Sequence, residues 1–189
     1  MGTSKLDIIN LALLRIGESP IQSLDEASTP ARTAKLLYDN SRRAILRDYD
    51  WNFAMKTAPL ATVESDVSGC YAFVVPADCL RVVEVFQSEG SQRSSIWFRV
   101  YGKRIYTHEY VPFVKYVKDE EDTSFFDSKF SEALTYKLAG ELAMSVKQSE
   151  SLMASMLNAY QNLVATAATE SQDEYDPALI ENPYVEVRY

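Results

Sequence analysis

The sequence is poor in the residues that build metal centres and histidine-based catalytic sites. Its 189 residues include one histidine, His108, and two cysteines, Cys70 and Cys79. One histidine excludes a multi-histidine metal site, and two cysteines are too few for a disulfide framework or a four-cysteine zinc site. We therefore interpret the cysteines as reduced thiols and His108 as a surface histidine, and we expect no metal and no cofactor.

Excess positive charge is also missing. The chain has 19 Lys and Arg against 27 Asp and Glu, and its net charge is -8. A conventional nucleic-acid-binding protein needs a Lys/Arg footprint, and anionic membranes attract basic segments, so the charge argues against both classes. There is no signal-peptide pattern and no apolar run of about 20 residues. We expect a protein used in a cytosol, or in a particle assembled there.

Recognisable catalytic motifs are absent as well. The sequence has no G-x-S-x-G elbow, no Walker-type loop and no G-x-G-x-x-G. The acidic run Asp119, Glu120, Glu121 and Asp122 could supply a carboxylate pair for glycoside hydrolysis. Adjacent carboxylates in a turn are more typical of a solvated face, so we predict no catalytic residue and no enzyme.

Apolar residues recur at helical spacing near both ends of the chain. Ser4 and Asp7 resemble a capping box, Thr29 is the predicted N-cap before Pro30, and Asp127 is a further predicted N-cap. We predict helices over residues 4–16, 29–49, 127–146 and 149–169.

β-Branched and aromatic residues dominate from Trp51 to Val117. Gly102 and Lys103 predict a tight hairpin turn, and residues 87–95 a long exposed loop. Trp51 and Phe53 are expected to be buried where the helical and β parts meet. We predict strands over residues 70–75, 80–86, 96–101, 104–107 and 113–117.

The predicted fold is α+β and mainly α. A four-helix bundle is formed by residues 1–50 and 118–170, and residues 51–117 are a small antiparallel β subdomain inserted between its halves. Residues 171–189 form an extended C-terminal tail.

The C-terminal tail carries much apolar and aromatic area, which would favour aggregation if it stayed exposed. Pro177 and Pro183 prevent a continuous helix, and residues 184–189 alternate in side-chain type, so they could add as a strand to a sheet edge. We predict that these residues bind a neighbouring subunit or another protein: Tyr175, Pro177, Leu179, Ile180, Pro183, Tyr184, Val185, Val187 and Tyr189.

Three arginines of the second helix form another candidate set. Arg42, Arg43 and Arg47 alternate with Asp39 and Asp48, and helix surfaces of mixed sign are mostly solvated or engaged in ion pairs. We interpret the arginines as structural or inter-subunit charges rather than as DNA contacts.

Four stretches of the sequence carry a resemblance to a known family. They are residues 5–18, residues 46–54 with Trp51-Asn52-Phe53-Ala54 as the most specific part, residues 75–82, and residues 126–143. In this order and spacing, over about residues 4–170, they resemble the tail tubular protein A or head-to-tail adaptor family of tailed bacteriophages.

The resemblance implies a structural protein of the virion, located at the head–tail interface and assembled in the cytoplasm of the bacterial host. It implies dodecameric rings beneath the portal that extend the DNA channel and carry the tail. The implied partners are other copies of the chain, the portal protein, a tail or nozzle protein, and genome DNA that passes without sequence-specific contact; no membrane anchor is expected. The alternative is a virion-associated cell-wall or capsule polysaccharide hydrolase, which would need an acid pair such as Asp119 and Asp122.

Overall fold

The computed structural model describes residues 4–89 and 92–174, and the side chains of residues 4–87 and 94–167. Within these residues, four α-helices and eight β-strands follow one another. The helices are α1 (Lys5–Arg15), α2 (Thr29–Asp48), α3 (Ser128–Lys147) and α4 (Glu150–Glu174). The strands are β1 (Met55–Pro59), β2 (Thr62–Val63), β3 (Tyr71–Val74), β4 (Cys79–Glu89), β5 (Gln92–Ser95), β6 (Arg99–Tyr101), β7 (Arg104–Thr107) and β8 (Phe113–Lys118).

The predicted capping box starts α1. The Ser4 hydroxyl accepts a hydrogen bond from the Asp7 N–H at 3.2 Å, and the Asp7 carboxylate accepts one from the Ser4 N–H at 3.0 Å. Hydrogen bonds from Ser4 lower the pKa of Asp7. After α1, Gly17 has a φ of 71°, a conformation that glycine adopts without steric cost.

The start of α2 differs from the prediction by one residue. The Ser28 side chain accepts from the Ala31 N–H at 3.4 Å, so Ser28 is the N-cap and Thr29 is already helical. Pro30 fits either arrangement, because first-turn N–H groups have no acceptor within the helix.

Asp127 caps α3 as predicted, since its carboxylate accepts from the Phe130 N–H at 2.6 Å. Gln148, with a φ of 52°, then turns the chain into α4. Because α4 continues to Glu174, the helix end predicted near Thr169 is wrong, and so is the tail start at 171. The remaining tail, residues 175–189, lies outside the described residues.

Helix α3 occupies the centre of the helical region and packs against α4, α2 and α1, in that order of closeness. The regular four-helix bundle is therefore not confirmed, because the other helix pairs approach one another much less. Helix α4 comes so close that a Cβ on Gly140 would lie 3.0 Å from the Leu157 side chain.

The strands form two four-stranded antiparallel sheets instead of one small unit. The first sheet has the order β1-β8-β4-β5, and the second has the order β2-β3-β7-β6. The hairpin turn at Gly102 is confirmed, with a φ of 58°. The division of the chain into domains stays a prediction.

The predicted loop over residues 87–95 is wrong. β4 extends to Glu89 and β5 pairs back onto it, with Gln87 opposite Ser94. These residues are polar, and backbone hydrogen bonds at a sheet edge do not depend on apolar side chains. Only Arg99–Tyr101 of the predicted strand 96–101 lies in β6, and β1 and β2 were not predicted.

Two apolar cores lie in the molecule. The larger is helical and also contains Trp51, whose indole N–H donates to the Ile45 carbonyl at 3.1 Å. The predicted burial of Trp51 is confirmed, and Phe53 is half-buried beside Phe126 and Phe130. The smaller core lies between the sheets and consists of Phe73, Val85, Ile105, Val114 and Tyr116.

Candidate interaction surfaces

A cluster of charged side chains joins α2 to the segment after β8. The Arg42 side chain is fully buried, and its guanidinium contacts the Asp119 carboxylate at 2.6 Å and donates to the Glu120 carbonyl. Arg43, half exposed, donates to the same Asp119 carboxylate at 2.8 Å. Arg42 therefore has its partners inside its own chain. A contact of these arginines with a neighbouring subunit stays a prediction.

The acidic run forms the expected solvated face only in part, because Glu121 and Asp122 are exposed whereas Asp119 and Glu120 are not. Glu120 is 6% exposed, and its carboxylate accepts from the Lys118 ammonium at 2.7 Å. The Asp122 carboxylate accepts from the Ser124 N–H at 2.9 Å, and backbone hydrogen bonding lowers the pKa of Asp122. Asp119 is engaged by two arginines. The carboxylates of the run thus hold the chain in place, and no observation favours a catalytic pair among them.

His108 is exposed, as predicted, and makes local contacts. Its Nδ1 lies 2.9 Å from the Gly69 carbonyl oxygen and 3.8 Å from the Cys70 sulfur, and its ring stacks on Trp97 at 4.8 Å. Cys70 and Cys79 are both free thiols. Burial raises the pKa of Cys79 to about 11, so its reactive thiolate is scarce at neutral pH.

Exposed aromatic side chains lie on both faces of the second sheet and on its loops, and we name Tyr71, Trp97, Tyr101 and Tyr110 together the aromatic surface. Tyr71 and Tyr110 contact each other edge to face at 5.3 Å, and all four side chains are 44–64% exposed. Aromatic residues are enriched in protein interfaces. Sequence reasoning missed this surface, although the density of Trp and Tyr between residues 97 and 110 was a signal for it.

A second surface, the cationic groove, lies between the end of α2, the start of β4 and the β6–β7 turn. It encloses about 500 Å³. Three cations line it, and no carboxylate does. Its lining residues are Arg47, Val75, Pro76, Ala77, Cys79, Leu80, Arg81, Val82, Val100, Gly102 and Lys103.

The three cations of the groove differ in whether they have hydrogen-bond or ion-pair partners. Arg47 donates to the Leu80 carbonyl at 2.6 Å, and Arg81 pairs with Asp50 but has a buried Nε without a hydrogen-bond partner. The exposed Lys103 ammonium has no ion pair with any of the described side chains. Of the predicted site residues only Arg47 lies here, and the nine predicted tail residues lie outside the part of the chain that the structure describes.

Known protein families include one that this chain matches. The family model Tube, described as tail tubular protein, matches residues 6–113, more than half of the chain. The chain belongs to the tail tubular protein family. No curated protein matches it.

Family membership establishes the coarser level of the expected function. A tail tubular protein is a structural component of the phage tail, so the chain is a structural protein of a virion. This agrees with the expectation that it is not an enzyme. The matched range contains both Arg42 and the cationic groove, and it ends before the acidic run, α3 and α4.

In residues 4–89 and 92–174 no group of three or more His, Cys, Asp and Glu could hold a metal ion. Within the same residues, no helix is both long and apolar enough to cross a membrane.

Proposed function

We propose that this tail tubular protein is the head-to-tail connector of its phage. Copies of the chain form a ring, dodecameric by the family resemblance, that sits under the portal, extends the DNA channel and carries the tail. The observation that carries the proposal is the family match over residues 6–113. A 21.4 kDa chain cannot enclose a duplex alone, whereas a cyclic assembly with one repeated heterologous interface can.

The exposed surfaces support a protein that works in an assembly. The aromatic surface leaves large rings in water, which is costly for a free monomer and typical of an interface. Leu11, Leu14 and Leu36 on the helices are also 46–75% exposed. Contact with neighbouring copies would remove this apolar area from water.

The net charge of -8 supports a conduit for DNA. A lumen that attracts phosphates would hold the genome by many contacts, whereas a neutral or acidic one lets it slide. We expect weak binding of free duplex at about 0.15 M salt in gel-shift assays. Tight binding with a steep salt dependence would contradict a repelling channel.

Residues 175–189 complete the proposal, as the segment that docks on an adjacent subunit or on the portal. Because this segment is proposed to dock outside its own subunit, removing residues 175–189 should leave helical content and thermal stability unchanged. The shortened chain should lose attachment to portal-bearing heads, measured by co-sedimentation and electron microscopy.

A chain with residues 175–189 in scrambled order is the matched control, because it keeps length and composition. It should fail to attach in the same way. Unchanged attachment of the shortened chain would exclude the docking role. Unfolding of the shortened chain would instead place the segment in its own subunit's core.

A further inference from the structure

The cationic groove concentrates positive charge in a protein that is acidic overall. Arg47, Arg81 and Lys103 line it without a carboxylate among them, while the whole chain carries -8. The buried Arg81 Nε also has no hydrogen-bond partner. Because Arg47 donates to a backbone carbonyl and Arg81 pairs with Asp50, Lys103 is the cation of the groove without an ion pair among the described side chains, and its charge favours an anionic occupant.

The apolar part of the lining, which we call the floor of the groove, restricts the kind of molecule that can bind there. Val75, Leu80, Val82 and Val100 contribute apolar side chains to it. A DNA backbone would neutralise the cations but leave this apolar floor wet, because phosphates and sugars bury little apolar area. A peptide that carries both carboxylates and apolar side chains can pair with the cations of the groove and cover its apolar floor at the same time.

Residues 175–189 are such a peptide. They contain Asp176, Glu181 and Glu186 against the single cation Arg188. The same segment contains apolar and aromatic side chains, with Val185 and Val187 alternating about Glu186. An extended chain with this pattern places valines on one side and the carboxylate on the other.

Helix α4 passes the end of α2 seven residues before α4 itself ends. The Tyr49 hydroxyl donates to the Ala167 carbonyl at 3.2 Å, and Tyr49 lies two residues after Arg47. The last seven residues of α4 advance about 10 Å beyond Ala167. From there, 15 extended residues reach about 50 Å.

That reach exceeds the size of one subunit. A folded chain of this length has a radius of gyration of about 16 Å, so the segment can arrive at the groove of a copy beside it. A groove on one part of the surface and a segment on another make a heterologous contact, the kind that repeats around a closed ring.

We propose that residues 175–189 of one copy occupy the cationic groove of the neighbouring copy. The inference rests on the proposed function, which places copies side by side. The valines of the segment pack on the apolar floor, and its carboxylates face Lys103 and Arg81. Each groove in the ring then holds one segment.

Disulfide cross-linking in the full chain tests this arrangement. In a background with Cys70→Ser and Cys79→Ala, one chain carries Lys103→Cys and a second, tagged chain carries Glu186→Cys. Mixing and mild oxidation should give a disulfide between the two chains. A chain with both new cysteines should give a ladder of linked subunits.

The control pairs Glu186→Cys with Arg32→Cys, because Arg32 lies exposed at the opposite end of α2 from Arg47. This pair should not cross-link. A double-cysteine chain that links only within itself would overturn the proposal, since the segment would then fill its own groove. Rings that form without any link at Lys103 would also overturn it, whereas the absence of rings would count against the connector function.

Charge reversal gives an independent readout. Lys103→Glu should lower the assembled fraction at least fivefold at about 0.15 M salt, while Arg32→Glu, the same charge change elsewhere, should leave it unchanged. If Lys103→Glu instead weakens retention of duplex DNA and leaves assembly unchanged, the groove is a phosphate site and the proposal falls.

Discussion

The helical region and the β region hold themselves together by different means. The helical region has a large core in which Ile8, Leu13, Leu46, Leu134 and similar side chains are fully buried. The β region has two sheets around a small core, and much of its aromatic area lies outside. We infer that the helices provide the stability of the subunit, whereas the sheets provide surface for other proteins.

The two regions meet at β8 and the segment that follows it. Val117 of β8 belongs to the helical core, although Val114 and Tyr116 of the same strand belong to the core between the sheets. Just beyond the strand, Asp119 binds Arg42 of α2. A side-chain contact and an ion cluster therefore couple the regions here, in addition to the contacts of Arg47 and Asp50 with β4.

The two tryptophans give the largest expected difference in stability between the helical region and the β region. Trp51 is buried at the base of the helical region, and Trp97 is 48% exposed on the second sheet. Trp51→Ala should lower the free energy of unfolding by about 3–5 kcal/mol, because it leaves a cavity in the larger core. Trp97→Ala should change it by less than about 0.5 kcal/mol. Urea denaturation measures both, and equal losses would break the comparison.

The two arginines that share Asp119 test whether this ion cluster holds the helical region and the β region together. Arg42→Met leaves a largely buried carboxylate without its main partner, and we expect a loss of about 3 kcal/mol in the free energy of unfolding. Arg43→Met removes a half-exposed partner of the same carboxylate and should cost less than about 1 kcal/mol. A double-mutant cycle by denaturation gives the coupling. If Arg42→Met costs no more than Arg43→Met, the cluster does not hold the regions together.

One conservative substitution can be made in each core. Ile45 and Ile105 are both fully buried, the first among the helices and the second between the sheets. Ile45→Val and Ile105→Val should each cost about 0.5–1.5 kcal/mol, with Ile45→Val the larger because a tightly packed core relaxes less. Thermal unfolding measures the difference. A larger loss for Ile105→Val would mean that the β core is the less adaptable one.

The smallest expected effect is the contribution of Asp78 to the free energy of unfolding, and it depends on pH. Burial raises the pKa of Asp78, but hydrogen bonds from Lys56 and the Tyr116 hydroxyl, both at 2.9 Å, outweigh it and hold the pKa below its usual value of 3.8. The stability from Asp78 is thus fully present above that value and is lost as the pH falls through the lowered pKa.

We expect Asp78→Asn to cost about 0.5–1 kcal/mol at pH 7 and less at pH 3, measured by urea denaturation at both values. The matched control is Glu64→Gln, an exposed carboxylate of the same region without an ion pair among the described side chains. A loss from Asp78→Asn that grows toward pH 3 would contradict the assigned hydrogen bonds.

Much of the fold follows from local sequence signals. The capping box at Ser4, the cap at Asp127 and the turn at Gly102 depend on neighbouring residues only, and all three are confirmed. The separation into two sheets depends on backbone partners distant in the chain, such as Met55 and Val117, which periodicity does not report. The β4–β5 hairpin joins close neighbours, but its residues are polar and carry no apolar alternation.

The candidate surfaces were harder to predict for the same reason. Arg42 looked like a surface arginine because its partner Asp119 lies 77 positions away. The cationic groove combines residues from α2, β4 and the β6–β7 turn, so no single stretch of sequence contains it. The resemblance to the family depends on four segments whose order along the chain is itself informative.

The pairing of β1 with β8 has a mechanical consequence. Met55 lies opposite Val117, so the chain enters and leaves the β region at neighbouring points of one sheet. A pull on the far end of that sheet puts both strands under tension in the same direction. Neither strand slides past the other, and the hydrogen bonds between them are not opened one by one. The load passes through two covalent chains side by side into α2 and α3.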